Sequence, residues 1–197
     1  MTAIVYLHGF RSSSMSVKAN LLRDTVMALP RGARPEVHIP DLPHGPLQAI
    51  ASVARWVEQE RNSAPPTFVG SSLGGYYATH LAERFGARAV LINPTVRPFD
   101  DLKPYIGAQV NMYSGETFEV TELHFEELRA LRVPRITRPD RYLLLVQSGD
   151  EVLDYRLAVA FYSGAYQYVQ GGGDHAFANF EAQMPTILRF AGALGAA

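Results

Sequence analysis

The sequence predicts an α/β fold in which about six mostly parallel strands form one sheet, with helices packed on both faces. Short apolar runs alternate with stretches of helical periodicity along the 197 residues. The apolar runs are continuous, which is typical of parallel strands buried on both sides. No repeat and no linker interrupts this rhythm, so we expect a single domain that spans residues 1–197.

The predicted strands share short runs of β-branched, aromatic and aliphatic residues. They cover residues 4–7, 37–39, 67–69, 89–92, 142–146 and 166–169. The predicted helices share apolar residues at helical spacing and cover residues 17–29, 47–61, 73–85, 155–162 and 180–193. Pro30 ends the first helix and Gly86 the third, because proline cannot continue a helix and glycine readily forms its C-terminal cap.

A G-x-S-x-G pattern lies between the third strand and the third helix, with Ser72 at its centre and Gly70 and Gly74 on either side. Such a pattern is a nucleophile elbow, whose sharp turn requires flanking residues without side chains. The neighbouring Ser71 does not fit, because its corresponding flanks are valine and leucine. Ser72 is therefore the predicted nucleophile, and the alternative is a strand-to-helix turn without chemistry.

A serine hydroxyl needs a base within hydrogen-bond reach and a carboxylate that orients this base. The chain order that accompanies the elbow is serine, acid and then histidine. After Ser72 the candidates for the base are His124 and His175, since His80 lies on the elbow's own helix. His124 falls within a predicted helix, whereas His175 lies in a glycine-rich loop after the last strand, so His175 is the predicted base.

The predicted acid is Asp150, which follows the strand at 142–146 and projects from its end. Asp154 is the reserve candidate, although its position before a helix is more typical of an N-cap. Asp174 is adjacent to His175 in sequence and is expected to point elsewhere.

Acyl transfer develops negative charge on the substrate's carbonyl oxygen, and this charge needs two backbone N–H donors. The Leu73 amide follows the nucleophile at a helix N-terminus and is expected to supply one of them. Phe10 lies in the loop after the first strand and is expected to supply the other. The ring of His8 is expected to brace this loop.

Residues 98–138 interrupt the alternation of strands and helices between the strands at 89–92 and 142–146. They contain prolines, charged residues and a helical pattern at 122–131. Long insertions of this kind are commonly functional, so we interpret the segment as a small cap. The alternative is an ordinary surface excursion. Because the segment is rich in apolar and aromatic residues, Tyr113 and Phe118 are candidate substrate-binding residues.

The composition excludes several classes of function. There is no cysteine, which excludes disulfides, thiolate catalysis and cysteine-ligated metals. The net charge of -1 and the lack of a basic run leave no electrostatic footprint for nucleic acid or an anionic membrane. No histidine or carboxylate cluster indicates a metal site. The start of the chain lacks the features of a signal peptide or membrane span, so a cytoplasmic location is expected.

Together, five motifs resemble the YqiA-like esterases of the α/β-hydrolase superfamily. They lie at residues 8–10, 70–77, 91–94, 149–155 and 172–175, and the likeness extends through 111–116 of the insertion. The resemblance implies a compact α/β-hydrolase fold and cleavage of ester or thioester bonds by a serine triad without a cofactor. It places Ser72, Asp150 and His175 at the triad positions. Arg11 departs from the family pattern, in which a smaller polar residue tends to follow the His-Gly-Phe motif.

The sequence therefore predicts a serine hydrolase that cleaves carboxylic esters or thioesters of small acyl substrates through an acyl-enzyme intermediate. The alternative is a non-catalytic interaction protein that keeps the same fold with an unactivated Ser72.

Overall fold

The structure is a computed structural model that describes residues 3–59 and 64–194. Its main sheet contains β1 (Ala3–Leu7), β2 (Glu36–His38), β3 (Thr67–Ser71), β4 (Arg88–Ile92), β7 (Tyr142–Gln147) and β8 (Tyr166–Gln170). A separate antiparallel pair is formed by β5 (Gly107–Val110) and β6 (Thr117–Val120). The order in the main sheet is β2-β1-β3-β4-β7-β8, and every neighbouring pair is parallel. The predicted six-stranded α/β architecture is confirmed.

The helices are α1 (Val17–Ala28), α2 (Pro46–Gln59), α3 (Leu73–Phe85), α4 (Pro98–Asp101), α5 (Glu122–Ala130), α6 (Tyr155–Phe161) and α7 (Met184–Phe190). Helices α1 and α7 pack on one face of the sheet, and α2, α3, α5 and α6 contribute to the core on the other. In the part of the chain that the structure describes, no helix has the length and apolar character needed to cross a membrane.

Strand β1 shows why the apolar runs are continuous. Its side chains alternate between the two layers, with Ile4 and Tyr6 in the core beside α1 and α7, and Val5 and Leu7 in the opposite core. All four are buried, because a parallel strand at the centre of the sheet has no face in water.

Two predicted elements end differently from the expectation. The helix expected at 180–193 is a 3₁₀ turn at Phe180–Gln183 followed by α7, because Pro185 lacks the N–H that would continue one helix through this point. The second strand ends at His38. Helix α2 is described as far as Gln59, and its predicted end at Arg61 lies outside the described residues.

The insertion at 98–138 divides into two parts. In its helical part, α5, Phe125 is buried and Leu128 belongs to the core beside α2 and α3, where the Tyr76 hydroxyl donates to the Leu128 carbonyl at 2.7 Å. This part is therefore a layer of the fold. The hairpin of β5 and β6, which the sequence did not predict as strands, packs instead on the loop that follows β1.

Three hydrogen bonds attach the hairpin to that loop. The Arg11 Nε donates to the Val110 carbonyl at 3.0 Å, and the Met112 amide donates back to the Arg11 carbonyl at 2.8 Å. The Asn111 side chain donates to the Ser12 carbonyl at 2.9 Å. Arg11, whose positive φ of 56° is unusual for a long side chain, is thus used to join the insertion to the loop beside Ser72.

Candidate active site

Ser72 occupies the turn between β3 and α3 in a strained backbone conformation, with φ 55° and ψ -119°. Such a conformation costs on the order of 1–3 kcal/mol and needs surrounding bonds to hold it. Its amide donates to the Ile92 carbonyl at 3.0 Å, while its carbonyl accepts from Gly75 at 2.9 Å and from Thr95 at 3.2 Å. The turn is therefore fixed by β4 and by the loop after β4.

The glycines of the motif are required by close backbone contacts. A Cβ on Gly70 would lie 2.1 Å from the Gly74 carbonyl oxygen, and one on Gly74 would lie 2.0 Å from the Leu7 carbonyl oxygen. A Cβ on Gly75 would lie 2.6 Å from the Pro94 side chain. Side chains at Gly70 and Gly74 would push β1, β3 and α3 apart, and one at Gly75 would push α3 away from the loop after β4.

Ser71 ends β3 and is buried, with 5% of its surface exposed. Its side chain lies beside the buried Tyr6 phenol, in the layer of α1 and α7. The two consecutive serines therefore face different surroundings, and Ser72 is the one beside the histidine.

The three residues predicted as a triad lie in contact at the carboxyl ends of their strands. The Ser72 Oγ lies 3.1 Å from His175 Nε2. The other ring nitrogen, Nδ1, lies 2.8 Å from Asp150 Oδ2 and 3.0 Å from Oδ1. Because Asp150 holds the proton on Nδ1, Nε2 is free to accept the proton of the serine hydroxyl.

Asp150 is held as a carboxylate by its surroundings. Burial pushes its pKa upward, but hydrogen bonds from His175 and from the Leu153 and Val152 amides outweigh this effect, so the pKa lies below its usual range. The two amides donate to Oδ1 at 2.8 and 2.9 Å and leave Oδ2 to the ring. Asp150 is therefore ionised at neutral pH, and its Oδ2 is oriented toward the His175 ring.

A polar pair that the sequence analysis did not identify holds the loop of His175. Asn93 donates through its side chain to the carbonyls of Asp174 and His175 at 2.9 and 3.2 Å, and accepts from the Gln147 amide at 3.0 Å. Gln147 is completely buried, accepts from the Asp174 and Ala178 amides and donates to the Ala178 carbonyl. Asn93 directly follows β4 and Gln147 ends β7, positions at which polar residues commonly end a buried strand.

Glu151 is a third residue that supports the loop. Its side chain accepts from the His175 amide at 3.0 Å, although its carboxylate is on the surface. No sequence signal distinguishes it from any other exposed glutamate. It does directly follow the predicted acid in sequence, but this position alone does not indicate a contact with the His175 loop.

The loop of Phe10 lies directly against the serine. A Cβ on Gly9 would lie 3.3 Å from the Ser72 Cβ, a close contact that a larger residue could make only if its neighbours shifted by a few tenths of an ångström. Neither the Phe10 amide nor the Leu73 amide donates to any acceptor within the described ranges 3–59 and 64–194. Both residues line the cavity beside Ser72, so two free donors are available near a carbonyl bound there.

His8 braces this loop from behind. Its Nε2 accepts from the Leu42 amide at 3.0 Å, so the proton resides on Nδ1, which lies 3.0 Å from the Gly9 carbonyl. Burial lowers the pKa of His8, against the opposing effect of the Gly9 bond. The neutral ring is therefore the form that the loop requires.

This arrangement predicts a specific acid sensitivity. Because the folded-state pKa of His8 is depressed, its contribution to stability is complete above the unfolded value of about 6.5 and is lost as the pH falls below it. We expect His8→Gln, which keeps an acceptor but does not titrate, to lose less unfolding free energy than the wild type between neutral and acidic pH. Urea denaturation at several pH values measures this. Equal losses in the two proteins would contradict it, because the lowered pKa values of His38 and His80 affect both equally.

A cavity of about 210 Å³ opens beside Ser72 and His175. Its apolar wall is formed by Phe10, Leu102, Tyr105, Met112, Val152 and Leu153. Three of these residues come from the insertion. Arg11, Thr95 and Asp101 add polar groups to the wall.

The two tentative substrate-binding residues lie outside the wall of this cavity. Tyr113 lines a neighbouring groove with His8 and His44. Phe118 stacks on the His44 ring at 3.8 Å between centroids and packs edge-on against Phe10 at 5.9 Å. Phe118 therefore packs against the ring of Phe10 and, with Phe10 and Leu73, lines a small adjacent pocket.

The rejected candidates have other partners. His124 bonds to Thr121 at the start of α5, and Asp154 caps α6 by accepting from the Arg156 amide, as predicted. The Oδ1 atom of Asp174 is buried and bonded to nothing in the described part of the chain. Among residues 3–59 and 64–194, no group of three or more histidine, aspartate or glutamate side chains is placed to hold a metal ion.

A parallel sheet with a strained serine between β3 and α3, followed in chain order by an aspartate and a histidine at later strand ends, defines a protein of the α/β-hydrolase fold. The chain belongs to the uncharacterised protein family UPF0227, whose model matches residues 3–192. This is the YqiA-like family that the sequence motifs resemble.

Solved structures of the same fold cover nearly all of the chain. A putative hydrolase from Agrobacterium vitis is 20% identical, with a TM-score of 0.72 over 96% of this chain and 87% of the other. A monoacylglycerol lipase from Paleococcus ferrophilus is 15% identical, with a TM-score of 0.71 over 98% and 95%. Mouse alpha/beta hydrolase domain-containing protein 10 is 15% identical, with a TM-score of 0.68 over 98% and 90%. At these identities the likeness establishes the fold.

Proposed function

We propose that this protein is a serine hydrolase that cleaves the carboxylic ester or thioester bonds of small acyl substrates. The observation that carries the proposal is the continuous chain of contacts from Ser72 Oγ to His175 Nε2 at 3.1 Å and from His175 Nδ1 to Asp150 at 2.8 Å, at the edge of a cavity. The names of the structural neighbours, which include a putative hydrolase and a lipase, are consistent with this class.

In the first half of the reaction, Ser72 Oγ attacks the carbonyl carbon while its proton moves to His175 Nε2. The carbonyl oxygen becomes an oxyanion that accepts hydrogen bonds from the Phe10 and Leu73 amides. The intermediate then collapses, the bond to the leaving oxygen or sulfur breaks, and Nε2 gives its proton to the departing alcohol or thiol. Asp150 stabilises the imidazolium during this step.

In the second half, water attacks the acyl-enzyme and passes a proton to Nε2. The bond between the carbonyl carbon and Ser72 Oγ breaks, the proton returns to the serine, and a carboxylic acid leaves. His175 must keep one orientation through both halves. The contacts of its loop with Asn93, Gln147 and Glu151 provide that constraint.

The cavity supports a small acyl group. Its volume of about 210 Å³ lies below the usual range of roughly 300–1,000 Å³ for drug-sized ligands, and most of its wall is apolar. Because Leu102, Tyr105 and Met112 come from the insertion, we infer that residues 98–138 influence substrate choice. The hairpin also holds the loop of Phe10, so the insertion supports the machinery as well.

A fluorophosphonate probe and a series of p-nitrophenyl esters test the proposal. We expect labelling at Ser72, a burst of p-nitrophenolate from acyl-enzyme formation, and kcat/KM values that decline from butanoyl to dodecanoyl esters because the cavity is small. Heat-denatured protein is the control for labelling. A folded protein that is neither labelled nor active on any ester would favour the non-catalytic interaction protein instead.

A further inference from the structure

The carboxyl group of Asp101 forms part of the wall of the cavity that holds Ser72 and His175. It lies at the end of the short helix α4 and is partly buried. The triad and the two amide donors leave this group unused. It stands among apolar neighbours that include Leu102, Tyr105 and Met112, where an ionisable group is costly unless it has a partner.

The protein satisfies only one side of this carboxyl group. Oδ2 accepts a hydrogen bond from the Thr95 hydroxyl, which in turn accepts from the Arg97 amide. Oδ1 has no hydrogen-bond partner among the described residues. It is not completely buried either, so a donor could reach it. Asp101 thus brings to the cavity wall a carboxyl group with one oxygen that no described residue occupies.

The two neighbouring cations form their salt bridges with a different carboxylate. Arg97 and Lys103 both pair with the preceding residue, Asp100, at 2.5 and 3.1 Å. Burial raises the pKa of Asp101, the Thr95 bond opposes this effect, and the smaller effects of the Asp100 and Arg97 charges act in opposite directions. Side chains kept in such surroundings are characteristic of ligand sites.

We propose that Asp101 is a specificity-determining residue that accepts a hydrogen bond from a hydroxyl or ammonium group on the acyl part of the substrate. The proposal rests on the proposed function and deepens it. The preferred substrates are then esters or thioesters of hydroxylated or aminated short acyl chains rather than plain alkyl ones. Arg11 lines the same cavity, but its Nε is engaged by the Val110 carbonyl in holding the hairpin.

Four p-nitrophenyl esters of equal chain length test the proposal: hexanoate, ω-hydroxyhexanoate, ω-aminohexanoate and the monoadipate. A hydrogen bond to a charged group gives about ten- to a hundredfold preference in kcat/KM, so we expect the hydroxy and amino esters to exceed hexanoate by that factor in the wild type. The adipate is expected to be the poorest substrate, since its carboxylate meets Asp101.

Two substitutions at Asp101 separate the contribution of its negative charge from that of its hydrogen-bond acceptor. Asp101→Asn keeps an acceptor but no charge, so the hydroxyl preference persists while the ammonium preference falls about tenfold. Asp101→Leu removes both preferences. Asp100→Asn is the matched control, because Asp100 is paired on the surface with Arg97 and Lys103, and both ratios are expected to stay at wild-type values.

The proposal is overturned if the ratios among the four esters are the same in wild type, Asp101→Asn and Asp101→Leu, or if the adipate is preferred. It is also overturned if Asp101→Leu and Thr95→Val lower all four esters by one common factor, because that result assigns the carboxyl group to support of the loop behind Ser72. A wild-type protein that hydrolyses none of the esters and is not labelled at Ser72 contradicts the proposed function itself, and the inference with it.

Discussion

Ser72→Ala is expected to abolish ester hydrolysis, lowering kcat by on the order of a million-fold. The hydroxyl is the atom that bonds to the acyl group, and no other hydroxyl is held against His175 Nε2 in the described part of the chain. Alanine keeps the same strained φ of 55° as serine, so the fold is expected to survive. Steady-state kinetics, with circular dichroism as a check on folding, measure the effect.

Ser71→Ala is the matched control for this experiment. Ser71 is one residue earlier and is buried, whereas Ser72 is only partly buried, and the Ser71 side chain lies beside Tyr6 rather than His175. We expect it to retain most of the wild-type kcat and to lose some stability. An active Ser72→Ala protein, or equal inactivation by the two substitutions, would show that the nucleophile is wrongly assigned.

Asp150→Asn is expected to lower kcat by about ten-thousand-fold, the loss seen when the equivalent aspartate of a serine protease is changed. The geometry here explains why asparagine cannot substitute. The Val152 and Leu153 amides require an oxygen at the Oδ1 position, so the asparagine NH₂ takes the place of Oδ2 and points at His175 Nδ1. The ring must then carry its proton on Nε2, where it cannot accept the proton of Ser72.

Asp154→Asn provides the comparison within the same turn. Asp154 caps α6 by accepting from the Arg156 amide and pairs with the Arg156 side chain on the surface. Asparagine caps a helix about as well as aspartate, and an exposed ion pair contributes little, so a change in kcat of less than about twofold is expected. If Asp154→Asn were the more damaging of the two, the assignment of the acid would be wrong.

The loop of His175 shows where inference from local patterns ends. The glycine-rich motif and the chain order selected His175 from the sequence, yet the residues that hold its loop are distant along the chain. Asn93 and Gln147 reach it across separations of 81 and 27 residues. Each also lies at the end of a buried strand. At such a position, the sequence does not distinguish a polar residue that merely ends the strand from one that holds the site.

In the insertion, too, local sequence patterns predicted some features and contacts between distant segments decided the others. Its prolines, charges and aromatic residues indicated an irregular segment, and the helix at 122–130 was predicted nearly as it is found. The contacts between Arg11 and the hairpin, and the position of Asp101 in the cavity wall, depend on packing between segments far apart in sequence. For the same reason Tyr113 and Phe118 could be selected as aromatic residues of the insertion but not placed relative to Ser72.

The sequence by itself determined the α/β architecture, the elbow at Ser72 and the order of its two partners. These follow from local causes: buried strands need continuous apolar runs, and the elbow admits only glycine at Gly70 and Gly74. The tertiary structure alone decided which groups fix His175, which residues line the cavity, and that Asp101 is in its wall with one oxygen that no described residue pairs. Those features arise when separate loops meet at the strand ends, and side-chain packing there has no periodic signature in the chain.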